Sequence, residues 1–220
     1  MKNKLNVNWL AESAVMIALA VVLEVISKMI VPEFAFGGQI TIVAMLPVVL
    51  VAYKYGVRRG LVTGFAYSLV QMALGAKTIS GMVLPSSDDY LGSVGKIILM
   101  LLMDYILAFT VLGLSAMYKK SIKNTVASFA LGTLTVLLLR YVCHIISGYV
   151  LFGAWAEWFF TQDGFYSWGP ALVEKFSGNT LSFIYSVIYN GFYMIPETIT
   201  TTIAAAVVAK FPQIIEKKYI

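Results

Sequence analysis

The chain has 220 residues, of which 60% are hydrophobic and 12% charged, with a mean hydropathy of +0.83 and a formal net charge of +5. Soluble domains carry roughly 45–50% apolar and about 25% charged residues, so the composition excludes a soluble domain and describes an integral membrane protein with little room for a second domain. The single cysteine, Cys143, excludes an internal disulfide and a cysteine-rich metal site.

A membrane-spanning helix needs about 20 largely apolar residues. Six segments are predicted to span: 9–30, 39–55, 59–75, 92–118, 125–153 and 178–209. Before the first, Lys2 and Lys4 together with Ala18-Leu19-Ala20 imitate a signal peptide, but the apolar run continues to Ile30, so a retained helix is expected. Pro47 in the second segment and Pro196 in the sixth are expected to kink their helices. The third segment is the most polar.

Basic residues concentrate on the cytoplasmic side of membrane proteins. With both termini inside, the inner segments hold Lys2, Lys4, Lys54, Arg58, Arg59, Lys119, Lys120, Lys123, Lys210, Lys217 and Lys218. The outer segments hold three cations, Lys28, Lys77 and Lys175, against six acids, Glu33, Asp88, Asp89, Glu157, Asp163 and Glu174, a net charge of −3. Topology therefore accounts for the basic balance, and no nucleic-acid partner is needed. The longer connections, 76–91 and 154–177, are the outer ones. The second carries Trp155, Trp158 and Trp168 among Phe159, Phe160, Phe165 and Tyr166, which suits either an interfacial aromatic belt or a lid over an outward-facing site.

Ionisable residues inside the spans are Glu12, Glu24, Lys96, Asp104, Arg140, His144 and Glu197. Such residues face a bundle interior or cavity and mark functional sites by default. Glu12 and Lys96 lie near helix ends, and Glu24 is spaced to pair with Lys28. Asp104, His144 and Asn190 fall about 18, 14 and 18 Å below the outer ends of the fourth, fifth and sixth segments, with Tyr185 one to two turns above Asn190. Three helices thus bring an acid, an imidazole, an amide and a phenol to one level, as a binding site or as a network holding the bundle together. Arg140, a turn deeper, is a counter-ion for Asp104 or Glu197. Ser147-Gly148 reads as a packing notch. Gly56, Gly60 and Gly64 form two G-x-x-x-G steps, expected to pack internally, with a docking face as the alternative.

No G-x-x-x-x-G-K-[ST], H-E-x-x-H, C-x-x-C or G-x-S-x-G occurs. Four stretches, GGQITIVAMLPVVLVAYKYGVRRGLVTGF, MDYILAFTVLGLSA, RYVCHIISGY and YSVIYNGFYMIPE, carry a resemblance that runs nearly end to end. In order, spacing and placement they resemble the thiamine-specific substrate-binding (S) component of energy-coupling factor vitamin transporters.

The resemblance implies an all-α membrane bundle of six transmembrane helices with both termini cytoplasmic, forming one substrate-binding domain over 1–220 in a bacterial plasma membrane. It implies a vitamin pocket open to the outside and no enzymatic activity. Partners would be a transmembrane coupling protein and two cytoplasmic ATPase subunits, which accounts for the missing P-loop. Ala14 and Ala18 on the first helix would dock the coupling protein. The substrate-binding residues carried over are Asp104, Tyr105, His144, Tyr185 and Asn190, with Trp155 and Trp158 as ring-stacking aromatics and Phe152 and Trp168 as alternatives for that role. Asp104 stands where some members carry Glu. Thiamine suits such a set: its thiazolium is attracted to aromatic faces, and Asp104 and Asn190 are suited to the aminopyrimidine edge. His144 would stack or accept a bond from the hydroxyethyl tail. The negative outer segments favour the cation over its phosphate esters. The alternatives are an S component for another vitamin, or a stand-alone proton-coupled transporter with Asp104 and His144 as its relay. An intramembrane hydrolase lacks a nucleophile–base pair.

Overall fold

The computed structural model describes residues 7–34 and 38–216; Lys2, Lys4, Lys217 and Lys218, counted above among the inner charges, lie outside them. Among the described residues every regular element is helical. Each of the six apolar segments contains a helix: α1 (Val7–Ile30), α2 (Leu46–Tyr55), α3 (Val57–Leu74), a composite α5 (Val94–Leu114), α6 (Thr125–Phe152) and α9 (Gly178–Val208). Four stretches are long and apolar enough to cross a membrane: α1, α5, Thr125–Phe160 and α9. The connections add α4 (Ala76–Val83), α7 (Ala156–Phe160), α8 (Trp168–Lys175) and α10 (Pro212–Ile215).

Local chemistry sets the helix ends. Ser93 caps α5 by accepting from the Lys96 amide, and Asn124 caps α6 by accepting from the Ala127 amide at 2.9 Å. Gly56, at φ +87°, breaks α2 from α3. The second segment departs from expectation, because residues 38–45 are not helical and α2 begins only at Leu46. Pro47 lacks an N–H and occupies the first turn, so it starts the helix instead of kinking it. The preceding chain is tied to α1. The Ile42 amide donates to Ser27 Oγ at 2.8 Å, and Gln39 Nε2 donates to the carbonyls of Val31 and Lys28 at 2.5 and 3.1 Å. Irregular backbone at membrane depth is tolerated only when buried in protein or lining a cavity, and Gly38, Gln39, Thr41 and Met45 line one. At Pro196, α9 continues as one helix of 31 residues with the proline inside it.

Small residues bring the helices into backbone contact. A Cβ on Gly113 would lie 2.3 Å from the Leu61 amide nitrogen, and one on Gly60 would lie 2.5 Å from the Gly113 carbonyl oxygen. Gly64 abuts the carbonyls of Phe109 and Thr110 on α5. Gly60 and Gly64 therefore pack internally, as expected, whereas a Cβ on Gly56 would meet open space. Outside, Val15, Leu19, Val22, Ile26 and Met29 on α1, and Phe183, Ile195, Ile199, Ile203 and Val207 on α9, stand exposed. Inside, Thr63, Ser68, Ser115, Ser128, Thr133, Ser186 and Thr201 are buried. Small polar residues in a bundle interior and large apolar ones outside are what a lipid solvent selects.

Candidate functional site

A cavity of about 650 Å³ opens at the end of the bundle that carries the 38–45, 76–93 and 153–177 segments. Small-molecule sites typically occupy ~300–1,000 Å³. All seven substrate-site residues expected from the sequence, Asp104, Tyr105, His144, Trp155, Trp158, Tyr185 and Asn190, lie in its wall. Its charged lining is Asp88, Asp89 and Asp104 against Lys96, a formal balance of three negative to one positive.

Asp104 sits on a stretch of α5 that is not an α-helix. Residues Leu101–Leu107 wind as a π-helix, a wide turn that recurs at functional sites. The carboxylate meets α6 twice: Oδ1 lies 3.0 Å from His144 Nδ1, and Oδ2 accepts from Ser147 Oγ at 2.6 Å. His144 and Ser147 are three residues apart and share a helix face. A carboxylate can only accept, so Nδ1 carries the proton in that contact. His144 Nε2 is buried without a protein partner.

Asn190 is held just as firmly. Its Nδ2 donates to the Ser186 carbonyl (2.8 Å), to Ser186 Oγ (3.3 Å) and to the His144 carbonyl (3.2 Å), while Oδ1 accepts from the Tyr193 hydroxyl. Both amide hydrogens are therefore committed to protein, and what Asn190 retains is acceptor capacity on Oδ1. Asp104 and Asn190 Oδ1 supply the acceptors of the deep wall. Its donors are the phenols of Tyr105, Tyr185 and Tyr189, while the Tyr193 proton is given to Asn190 Oδ1.

Aromatic rings close the upper wall. Trp155 and Trp158 meet edge to face at 5.5 Å, each 45% exposed, with Phe152 also in the lining. Trp168 is not in the cavity wall and lies against Phe165 at 4.9 Å and Phe160 at 6.2 Å, two members of the cluster packed around Phe159.

Below the cavity, and sharing Gly38, Phe109 and Tyr193 with it, is a second chamber of about 260 Å³. Arg140 occupies its wall and pairs with Glu197 at 2.9 Å, not with Asp104. Its guanidinium also lies 4.8 Å from the Phe109 ring centroid. Glu24, expected to pair with Lys28, does so at 2.7 Å and also accepts from Gln71 Nε2 at 2.6 Å. Glu12 pairs with Lys54 at 2.5 Å, and Lys96 stands exposed in the cavity wall.

Several cavity residues escaped the sequence reading. Tyr189 and Tyr193 continue Tyr185 at four-residue intervals, a stripe on one helix face that was there to be found. Ser147, read as part of a packing notch, is a hydrogen-bond donor to Asp104; Gly148 alone is the notch, since its Cβ would lie 2.3 Å from Ser186 Oγ. Ala14 and Ala18 are exposed on α1.

The sequence matches the family described as thiamine transporter protein (Thia_YuaJ) over residues 10–161. The thiamine transporter ThiT of Bacillus subtilis (strain 168) is 32% identical over 203 residues, covering 88% of this chain and 86% of that protein. In fold, the chain is similar to ThiT from Listeria monocytogenes, with a TM-score of 0.64 at 19% identity, covering 96% of this chain and 98% of the other.

Proposed function

The chain belongs to the thiamine transporter protein family, and on that premise we propose that it is the thiamine-binding S component of an energy-coupling factor transporter, holding thiamine with high affinity. It is a multi-pass membrane protein. In this reading it forms one domain of six spans with both termini cytoplasmic, an orientation supported by the basic residues at one end of the sequence's segments and the acidic ones at the other. Thiamine enters the cavity from outside. A transmembrane coupling protein and two cytoplasmic ATPases then drive its release, since this chain has no P-loop. The exposed Ala14 and Ala18 serve as the docking surface on α1.

One observation carries the ligand assignment: a net-negative cavity whose deep wall sets the Asp104 carboxylate among aromatic rings. A small organic cation bearing an N–H₂ group matches it. The Asp104 carboxylate balances the thiazolium charge, and the rings of Trp155, Trp158 and Tyr185 offer faces to it. The amine of the aminopyrimidine finds acceptors in the deep wall, and the phenols supply donors to its ring nitrogens.

Titrating purified protein with thiamine should quench tryptophan fluorescence, and Asp104→Ala should weaken binding by about 100-fold (~3 kcal/mol) while the protein stays folded. Unchanged affinity in that variant would refute the site. The Asp104–His144 contact also suits a proton relay, so uptake by this chain alone, driven by a pH gradient without ATPase partners, would favour a stand-alone transporter.

A further inference from the structure

At the end of the bundle opposite the ligand cavity, where α2 finishes and α6 begins, lies another opening of about 510 Å³. Four parts of the chain meet there: the close of α2, the connection from α5 to α6, the first residue of α6 and the end of α10. Its charged lining among the described residues is Lys54, Lys119 and Lys123 against Glu216, three positive to one negative. That balance is the reverse of the one in the ligand cavity.

Two of the lysines are held in place. Lys54 pairs with Glu12 at 2.5 Å. Lys119 Nζ donates to the Tyr53 carbonyl at 2.8 Å and lies 4.7 Å from the centroid of the Tyr53 ring. That ring belongs to the core: Tyr53 is 3% exposed and is backed by Phe129 at 4.5 Å. Setting Lys54 against Glu12 leaves Lys119 and Lys123 with Glu216, and no salt bridge joins either lysine to it. The wall therefore stays net positive. Thr125 adds a hydroxyl and the amide end of a 28-residue helix, where the first N–H groups have no carbonyl within the helix to bond.

An anion of phosphate chemistry suits such a wall, and its surroundings decide between a free phosphate and a lipid headgroup. Ile122 and Ile215 line the same opening, and Phe211 and Ile214, beside Ile215 in the chain, stand 45% and 39% exposed. Acyl chains use that apolar surface, whereas a hydrated inorganic ion gains nothing from it. Basic openings between spanning helices on the cytoplasmic side bind anionic lipid headgroups. We propose that this opening is a site for the headgroup of an anionic phospholipid, with Lys119 and Lys123 holding its phosphate. The proposal stands on this end of the molecule alone and does not depend on what the ligand cavity binds.

Native mass spectrometry of the full chain in detergent tests it, with phosphatidylglycerol or phosphatidylcholine of the same acyl chains as the added lipid. Wild type should bind one phosphatidylglycerol at least about tenfold more tightly than phosphatidylcholine. A lysine beside an anionic lipid contributes about fivefold in affinity, so Lys119→Gln/Lys123→Gln should weaken phosphatidylglycerol by about 10- to 30-fold and leave phosphatidylcholine within about twofold. Lys123→Gln alone, which removes no hydrogen bond to a described residue, should cost about fivefold and keep Tm within about 2 °C of wild type. Lys120→Gln/Lys210→Gln takes two exposed lysines from outside the lining and should keep the wild-type preference. Inorganic phosphate in large molar excess should leave the bound lipid in place. Equal losses in the two double variants would reduce the effect to general surface charge, and displacement by phosphate would make this a free-anion site. Either result, or a wild type that does not distinguish the two lipids, would overturn the proposal.

Discussion

Removing Glu197 should leave the guanidinium of Arg140 stranded. The two side chains are 8% and 2% exposed and meet at 2.9 Å. Beyond Glu197, Arg140 meets the soft acceptor Met194 Sδ at 3.3 Å and the face of Phe109, and its Nε has no hydrogen-bond partner among the described residues. Breaking a buried pair from one side typically costs about 3–5 kcal/mol, because an uncompensated charge stays behind. For a chain of 150–250 residues each kcal/mol moves Tm by about 2–4 °C. Glu197→Leu should therefore lower the Tm of ligand-free protein in detergent by ~6–20 °C. The double variant Arg140→Met/Glu197→Leu removes both charges and should recover to within a few degrees of wild type, since apolar replacements of a buried pair are often neutral. Thermal unfolding followed by intrinsic fluorescence measures both. A single variant that loses less than ~2 °C, or a double variant no better than the single, would refute the reasoning that this pair is a mutual neutralisation buried in the scaffold.

Gly113→Ala should destabilise the protein by at least ~3 kcal/mol, because its Cβ would stand 2.3 Å from the Leu61 nitrogen and 2.4 Å from the Gly60 carbonyl carbon, and backbone cannot step aside as a side chain can; thermal unfolding again reports it. Tyr193→Phe removes the hydroxyl donated to Asn190 Oδ1 and should weaken thiamine binding by about fivefold (~1 kcal/mol) with little change in Tm, as read by fluorescence titration.

Much of the architecture could be read from hydropathy because lipid imposes a simple rule on residues that face it, and each of the six apolar runs contains a helix. Depth counting also placed Asp104, His144 and Asn190 at one level, and they line one cavity. What could not be read is geometry that does not follow a 3.6-residue period. Nothing in LLMDYIL announces a π-helix, and the 39–55 run hides the irregular 38–45 stretch, which depends on Ser27 and Gln39 bonding to specific carbonyls and amides. Asp104 and Ser147 are 43 residues apart, so Ser147 looked like an ordinary small residue beside a glycine. Trp168 matched Trp155 and Trp158 in composition, yet the Phe159 cluster draws it away from the cavity. Type and spacing locate a side chain along a helix, while its bearing around the axis is settled by its neighbours.

That bearing is the point at which α5 is most exposed to change. A π-turn takes up one residue more than an α-turn, and one residue is worth about 100° of rotation. The stretch Leu101–Leu107 therefore works as a phase shifter between two halves fixed by different things, the cap at Ser93 on one side and the glycine contact at Gly113 on the other. Deleting a single residue within Leu101–Met103 would restore regular winding and swing the Asp104 carboxylate through roughly 100°, away from His144, with every neighbouring side-chain type unchanged. In this helix the number of residues is as much a part of the recognition chemistry as their identity.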